Sequence, residues 1–266
     1  MGMNIAEKLG SLKASGRKGL IIYVTAGCPD YSTTLQAVKA AAEAGADLVE
    51  IGLPFSDPMA DGPVIQQAAT QALAAGATVG KALELITLLQ QQTSIPLAVM
   101  TYYNIVLQFG IERFAESFAG AGISGLIIPD LPIEEAAAVE PACRQAGIDL
   151  IKFIAPTTTP ERIKTICRQA SGFLYCISST GVTGVRQTDY NQIAPLLAAV
   201  RRETDLPLAI GFGIGGPEAA CQAAKHADAV IVGSAVMDRL LHGSLANVQE
   251  LIYSIRQALD KECDRQ

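Results

Sequence analysis

One short phrase recurs along this chain and constrains its fold more than any other feature. A helical stretch ends in Ala-Gly or a similar pair, and a β-branched, apolar run follows, as in AGADLVEIG from Ala44, AGISGLIIPD from Ala121, AGIDLIKFIAP from Ala146 and HADAVIVGS from His226. Glycine suits the position after a helix, where a positive φ is needed. Because the runs are apolar on both faces, they predict parallel strands that are covered on both sides.

The count of these runs favours one architecture. Eight strands are predicted, beginning near Leu20, Ala46, Leu97, Gly125, Asp149, Phe173, Leu208 and Asp228. Alternating with amphipathic helices, they predict an α/β fold: a single (β/α)8 TIM barrel with an N-terminal helix, spanning residues 1–266 as one domain. A doubly wound open sheet is the alternative, but it usually has fewer strands and a glycine-rich fingerprint after the first one.

Two connections are longer than one βα unit requires. From strand 2 to strand 3 the strand starts are 51 residues apart, and from strand 6 to strand 7 they are 35 apart. Both extended loops follow the carboxyl ends of strands, where barrel enzymes place their chemistry. We therefore expect function in these loops.

Composition excludes several classes of protein. The chain has 266 residues, of which 50% are hydrophobic and 17% charged, so disorder is excluded. The net charge of −6 argues against nucleic acid or an anionic membrane as a default partner. Six scattered cysteines without a C-x-x-C pair predict neither a zinc site nor a redox dithiol. Without a signal peptide or a long apolar run, the expected compartment is the cytoplasm, or the plastid stroma if a plant or algal transit peptide was removed.

Glu50 is the sharpest candidate for chemistry. It lies in LVEIG (residues 48–52), at the carboxyl end of predicted strand 2. Burial raises the pKa of a carboxyl group and suits it to general acid or base work near neutral pH. The alternative is a Glu that is hydrogen-bonded to a neighbouring strand or paired with a cation.

Other carboxylates follow strand ends, but each has a local explanation as well. Asp61 precedes Gly-Pro and a helix, so it could instead cap that helix. Asp57 could form an Asx-turn, and Asp130 a loop hydrogen bond. Lys152, in predicted strand 5, could form a Schiff base, although an outward orientation is the preferred interpretation.

Glycines after the last two strands predict an anion site. GFGIGG (residues 211–216) and Gly233-Ser234 each lead into a helix, whose N-terminal amides favour phosphate. Loops after strands 7 and 8 are the recurrent phosphate site of such barrels. Tyr23, Tyr102 and Tyr175 fall in or near strands and could wall an apolar ligand or pack in the core. The residues thus predict a phosphorylated ligand and carboxylate chemistry, without a metal or an organic cofactor in this chain.

The segment VEIGLPFSDPMADGP (residues 49–63) closely resembles the signature of the tryptophan synthase alpha subunit family. Further matching segments occur in order along essentially the whole chain: TAG at 25–27, PDLP at 129–132, APTT at 155–158, GVTG at 181–184, GFGI at 211–214 and GS at 233–234.

The resemblance implies a TIM-barrel lyase that cleaves indole-3-glycerol phosphate to indole and glyceraldehyde 3-phosphate in tryptophan biosynthesis. It implies no cofactor in this chain, and a pyridoxal-phosphate beta subunit as partner in an αββα tetramer that channels indole. It assigns catalysis to Glu50 and Asp61. It assigns substrate binding to Tyr23, Tyr102, Tyr175, Thr183 and Phe212, and phosphate binding to Gly184, Gly213, Gly233 and Ser234.

Three positions depart from the family's common pattern: Cys28, Lys152 and Ser179 replace a frequent Asp, an apolar residue and a frequent Arg. Three alternative functions stay open at this point. They are a free-standing indole-3-glycerol-phosphate lyase, a Schiff-base aldolase that uses Lys152, and a regulatory barrel that binds a phosphorylated ligand without cleaving it.

Overall fold

Eight parallel strands close into a barrel in a computed structural model that describes residues 4–178 and 189–263. Each strand pairs with its neighbour in the chain, and the eighth pairs with the first, so the alternative of an open sheet is excluded. The strands are β1 (Gly19–Thr25), β2 (Leu48–Gly52), β3 (Leu97–Met100), β4 (Gly125–Ile127), β5 (Asp149–Ile154), β6 (Leu174–Ile177), β7 (Leu208–Gly211) and β8 (Ala229–Val232).

Every predicted strand start lies within two residues of the observed one. The glycines of the recurring phrase explain this agreement. Gly45, Gly122 and Gly147 follow helices with φ of 97°, 105° and 72°, a region that other residues rarely adopt. The chain therefore leaves each helix at a defined residue and enters the next strand two or three residues later.

Helices surround the barrel, and two of them, α3 and α4, fill the long connection after β2. The described α-helices are α1 (Ile5–Ala14), α2 (Tyr31–Glu43), α3 (Pro63–Ala74), α4 (Val79–Gln92), α5 (Tyr103–Phe109), α6 (Ile111–Ala121), α7 (Glu140–Ala146), α8 (Pro160–Gln169), α9 (Ala194–Arg201), α10 (Pro217–Ala224), α11 (Ser234–His242) and α12 (Leu245–Cys263). Short 3₁₀ helices occupy Ala136–Ala138 and Tyr190–Gln192.

The predicted N-terminal helix closes the amino end of the barrel. Asn4 and Glu7 form a capping box at the start of α1, with the Glu7 amide 2.8 Å from Asn4 Oδ1. Ile5, Leu9 and Leu12 are buried in the same apolar cluster as inward residues of the strands. This end of the barrel is thus a packed core, which leaves the carboxyl end for a site.

Alternation along the strands separates two apolar layers. Inward side chains such as Ile21, Leu48 and Ile151 form one cluster, and their chain neighbours pack against the helices in another. In the part of the chain that the structure describes, no single helix has the length and apolarity to cross a membrane; only α3 and α4 together do, and they are bent by 103° at their junction.

Candidate active site

A cavity of about 980 Å³ opens at the carboxyl ends of the strands. Its walls combine side chains from inside the barrel with the loops after β2, β4, β5, β7 and β8. Eight of the eleven residues assigned to the site by resemblance line it, and a ninth, Tyr102, contacts Asp61, which lines it. Those that line it are Tyr23, Glu50, Asp61, Tyr175, Phe212, Gly213, Gly233 and Ser234.

Glu50 lies inside the barrel at the middle position of β2, beside Tyr23 of β1 and Ala98 of β3. Its side chain is completely buried, and neither carboxyl oxygen has a hydrogen-bond partner among the described residues. Burial, helped by the nearby charge of Asp61, raises the pKa of Glu50 to about 8. The alternative of a hydrogen-bonded or cation-paired Glu is therefore wrong for the described residues.

Asp61 lies in the loop after β2, near enough to Glu50 for its charge to raise the pKa of Glu50. Its Oδ2 accepts a hydrogen bond of 3.0 Å from the hydroxyl of Tyr102, and that hydroxyl accepts one of 3.0 Å from the Ala60 amide. Burial raises the pKa of Asp61 to about 6, and the Tyr102 hydrogen bond opposes that rise. The helix-cap interpretation is wrong, because Gly62 is the N-cap of α3 and no side chain caps it.

The three tyrosines predicted near strands surround this pair of carboxyls. Tyr102 stacks on Phe55 with ring centroids 5.1 Å apart, which holds the ring beside the loop after β2. Tyr23 and Tyr175 are buried inside the barrel, and burial raises the pKa of both phenols well above the usual value. All three therefore stay neutral and present apolar faces with a polar tip.

Two glycines make room for the inward tyrosines. A Cβ on Gly52 would lie 2.0 Å from the Tyr23 hydroxyl, and one on Gly211 would lie 2.5 Å from the Tyr175 hydroxyl. These glycines end β2 and β7, so the strand ends themselves shape the pocket. Aromatic contacts continue across it, since Tyr175 lies 4.9 Å from Phe153 and 6.4 Å from Phe212 between ring centroids.

The predicted phosphate residues Gly213, Gly233 and Ser234 line the cavity from the loops after β7 and β8. Gly233 is the N-cap of the nine-residue helix α11, and Ser234 is its first residue. Gly213 follows β7 with a φ of 77°. Amides at a helix N-terminus and a glycine that exposes its backbone suit an anion. The other two assigned residues, Thr183 and Gly184, lie outside the described residues, as does Ser179.

Asp57 and Asp130 take part in local hydrogen bonds rather than in the carboxyl pair. Asp130 Oδ1 accepts a 2.9 Å hydrogen bond from the Tyr103 amide at the start of α5, which confirms the alternative of a loop hydrogen bond. Asp57 is exposed, and its Oδ2 accepts a 2.5 Å hydrogen bond from Ser56.

Lys152 lies outside the barrel interior. Its chain neighbours Ile151 and Phe153 belong to the inward cluster, whereas the Lys152 amine lies 2.7 Å from Glu140 on α7. These contacts confirm the outward orientation, although Lys152 is buried and is also one of the residues that line the cavity. A Schiff base formed by Lys152 would face the helix layer, and the structure thus removes the geometry for a lysine aldolase.

Several cavity residues escaped the sequence interpretation. Met100, Phe153 and Ile231 line the pocket from inward positions on β3, β5 and β8. The alternation of side chains along a strand could have identified them, because each residue lies on the face of its strand that points into the barrel. Phe212 has a φ of 80°, and its carbonyl accepts hydrogen bonds from Ser178 and Tyr190. No sequence signal indicates that contact.

Among the described residues, no group of three or more His, Cys, Asp or Glu side chains could hold a metal ion. The two histidines lie away from the cavity. His226 precedes β8, and His242 ends α11, where its Nδ1 lies 3.1 Å from Asp238.

Known proteins resemble this chain over nearly its whole length. The family model described as tryptophan synthase alpha chain matches residues 9–262. The tryptophan synthase alpha chain of Synechococcus elongatus is 46% identical over 259 residues, which is 97% of each chain. That of Carboxydothermus hydrogenoformans is 47% identical over 238 residues, 90% of this chain and 88% of the relative.

Solved structures agree in fold and sequence. A structure of Mycobacterium tuberculosis tryptophan synthase superposes with a TM-score of 0.90 at 35% identity, covering 97% of this chain and 99% of that one. The tryptophan synthase subunit alpha of Legionella pneumophila gives a TM-score of 0.87 at 36% identity with the same coverage.

Proposed function

The chain belongs to the tryptophan synthase alpha chain family, lyases that cleave indole-3-glycerol phosphate, and we propose that Glu50 and Asp61 carry out the cleavage here. One observation carries the proposal. Glu50 is a completely buried carboxyl that faces the cavity, has no described hydrogen-bond partner and has a pKa of about 8. Among the described residues, no hydrogen bond or ion pair of Glu50 gives it a structural role. A carboxyl with such a pKa is suited to proton transfer near neutral pH.

The two carboxyls differ in protonation at neutral pH. With a pKa of about 8, Glu50 holds its proton, whereas Asp61, with a pKa of about 6, is mostly ionised. The site therefore offers one acid and one carboxylate within the same cavity. Environments that push two carboxyl pKa values apart are what acid and base roles require.

The retro-aldol reaction uses both states. Glu50 donates its proton to indole C3, which makes the ring a positively charged indolenine. The ionised Asp61 stabilises that charge near the ring N–H. Glu50 then accepts the proton of the side-chain hydroxyl, the carbon–carbon bond breaks, and its electron pair neutralises the indolenine. Indole and glyceraldehyde 3-phosphate leave, and Glu50 is again protonated.

The remaining assigned residues would bind the two ends of the substrate. Tyr23, Tyr102, Tyr175 and Phe212 offer aromatic surface for the indole ring, and Thr183 is assigned by resemblance to the same group. Gly213, Gly233 and Ser234 would bind the phosphate, together with Gly184. In support, Gly233 and Ser234 line the cavity at the N-terminus of a helix, the end of a helix that favours an anion.

Membership of the family implies a complex with a beta subunit. We propose an αββα tetramer in which indole is channelled to that subunit, which would hold the pyridoxal phosphate, while this chain needs no cofactor. The loop after β2 supports an interface there, since Met59 is 86% exposed. A cytoplasmic location stays a prediction.

Indole release from indole-3-glycerol phosphate tests the proposal. Wild type and Glu50→Gln should be assayed with and without a tryptophan synthase beta subunit, with Glu112→Gln, an exposed carboxyl on α6, as the matched control. We expect Glu50→Gln to lose activity by about 10²- to 10⁴-fold, because its amide cannot transfer the proton, and Glu112→Gln to match wild type.

The outcomes separate the open alternatives. Slow wild-type release that the beta subunit accelerates supports the subunit role, whereas fast release without it indicates a free-standing lyase. Full activity in Glu50→Gln would contradict the catalytic assignment. No release under any condition would leave the regulatory barrel.

A further inference from the structure

The backbone carbonyl of Phe212 is held by two hydroxyl groups that the family resemblance does not assign. Ser178 Oγ lies 3.2 Å from this oxygen, and the Tyr190 hydroxyl lies 3.4 Å from it. Ser178 also lies 3.2 Å from the carbonyl of Gly211, so its single hydrogen is shared between two neighbouring carbonyls. Both side chains are buried, with 9% and 4% of their surface exposed.

The residue whose carbonyl they hold has a strained backbone. Phe212, with a φ of 80°, is the one residue other than glycine with a positive φ in the described part of the chain. An aromatic residue rarely adopts this region, and such strain persists only where surrounding contacts maintain it. The two hydroxyls supply such contacts.

The same peptide unit carries the Gly213 amide. In a planar trans peptide the N–H points opposite to the C=O, so a fixed Phe212 carbonyl fixes the direction of the Gly213 N–H. This N–H donates to no described residue, and Gly213 lines the cavity. An amide that is already oriented binds an anion without the entropic cost of ordering it.

We propose that Ser178 and Tyr190 are positioning residues for phosphate: by holding the Phe212 carbonyl, their hydroxyls aim the Gly213 amide at the phosphate group of the substrate. The proposal rests on the phosphate site proposed above. Neither residue lines the cavity, and in this proposal both act through the Phe212–Gly213 peptide. The hydroxyl of Tyr190 can be removed without loss of the ring, which makes it the cleaner site for a test.

Two probes separate positioning from general structure. Glycerol 3-phosphate carries the phosphate without an indole ring, and indole lacks the phosphate. Their affinities should be measured by calorimetry for the full chain as wild type, Tyr190→Phe, Ser178→Ala and the double variant. Tyr31→Phe and Ser254→Ala are matched controls, because their hydroxyls also donate to backbone carbonyls, at 3.4 Å and 2.7 Å, but those carbonyls belong to Thr78 and Leu251, which do not line the cavity.

We expect glycerol 3-phosphate to bind about threefold more weakly to each single variant and about tenfold more weakly to the double variant, as for the loss of one and two ordinary hydrogen bonds. Indole affinity should not change, and KM for indole-3-glycerol phosphate should rise more than kcat falls. Ser178→Thr, which keeps a hydroxyl, should recover the affinity. On addition of glycerol 3-phosphate, the Gly213 amide resonance should shift less in the double variant than in wild type.

Ser234→Ala distinguishes failure of this proposal from failure of the phosphate site. If Ser234→Ala weakens glycerol 3-phosphate binding while the double variant binds normally, the positioning role is wrong and the site stands. If wild type binds glycerol 3-phosphate and none of these variants changes its affinity, the positioning role is wrong, and if wild type itself does not bind it, the phosphate site is wrong as well. Equal losses for indole and glycerol 3-phosphate would indicate a structural role alone and would also overturn the proposal.

Discussion

Two buried carboxyls, one just before strand β2 and one at its middle, have opposite surroundings. Asp47, just before the strand, is 3% exposed, and its Oδ2 lies 3.1 Å from Arg256 and 3.0 Å from the Leu20 amide. Its other oxygen lies 3.3 Å from Lys8. Glu50, three residues later, is fully buried and has no hydrogen-bond partner among the described residues.

This difference shows that burial alone does not determine the surroundings of a carboxyl group. Asp47 contacts two cations and a backbone amide, and these contacts connect α1, β1 and α12 at the amino end of the barrel. Glu50 lies in an environment that favours its neutral form. Removal of the two carboxyls should therefore change the free energy of unfolding with opposite signs.

The largest effect is expected for Asp47→Ala. The substitution leaves Arg256, whose side chain is 6% exposed, without its buried partner, although Asp260 still reaches it from solvent at 2.6 Å. We expect a loss of roughly 3–5 kcal/mol in the free energy of unfolding, because Arg256 loses its buried partner and the buried Leu20 amide loses its acceptor. Urea denaturation of the isolated chain measures it.

Asp228→Ala provides the matched control at the same end of the barrel. Asp228 accepts from the Leu208 amide at 2.8 Å and pairs with Arg201 at 2.5 Å, but 32% of the Arg201 side chain is exposed. Since water can solvate Arg201, the loss should be smaller, about 1–2 kcal/mol. Equal losses for both variants would contradict the role assigned to burial of the partner.

Glu50→Gln should produce the opposite effect. The pKa of Glu50 is about 8 in the folded chain against an ordinary value of 4.5, so the folded state binds the proton more tightly than the unfolded state. Wild-type stability therefore falls as pH rises from about 4.5 to about 8 and is level above that range. Glutamine is neutral throughout, so the variant should be more stable by roughly 3–5 kcal/mol at pH 8.5 and about equal at pH 4.5.

Denaturation of both proteins between pH 4.5 and 9 checks this expectation. A stability difference that does not vary with pH would mean that Glu50 ionises in the folded chain much as it does when unfolded. That result would also remove the basis for its acid role at neutral pH.

The barrel was predictable because its signals are local. Gly45, Gly122 and Gly147 mark the helix ends, and the apolar runs after them place the strands within two residues. Glu50 was predictable for the same reason, since a carboxyl inside an apolar strand contradicts its surroundings. The extended loop after strand 2 and its extra helix also follow from spacing alone.

The contacts that tune the site were not predictable, because they join distant parts of the chain. Asp61 and Tyr102 are 41 residues apart, and Asp47 and Arg256 are 209 apart. The sequence around one residue of such a pair does not indicate which distant residue it contacts. For Asp61, the sequence was therefore equally consistent with a helix cap. The positive φ of Phe212 is likewise imposed by contacts with other segments rather than by its own preference.

Asp61 lies between the two extremes, since it is buried and accepts one hydrogen bond. Removal of that bond by Tyr102→Phe should raise the pKa of Asp61 above about 6, because the Tyr102 hydroxyl is the group that lowers it. The acid limb of kcat/KM for indole-3-glycerol phosphate should move to higher pH, by about one unit for the loss of a hydrogen bond to a charged group. The alkaline limb, which reports Glu50, should stay near pH 8.

The pH range in which Tyr102→Phe is active should therefore become narrower on the acid side only. A shift of the acid limb without a shift of the alkaline limb is the result that tests the two assignments. Activity at pH 6 should fall by up to about tenfold, whereas activity near pH 7.5 should fall less, because Asp61 is ionised there in both proteins. Tyr31→Phe, which loses a hydroxyl bonded to the Thr78 carbonyl, should keep the wild-type profile. Movement of the alkaline limb instead would reverse the roles of the two carboxyls, with Asp61 as the acid and Glu50 as the stabilising charge.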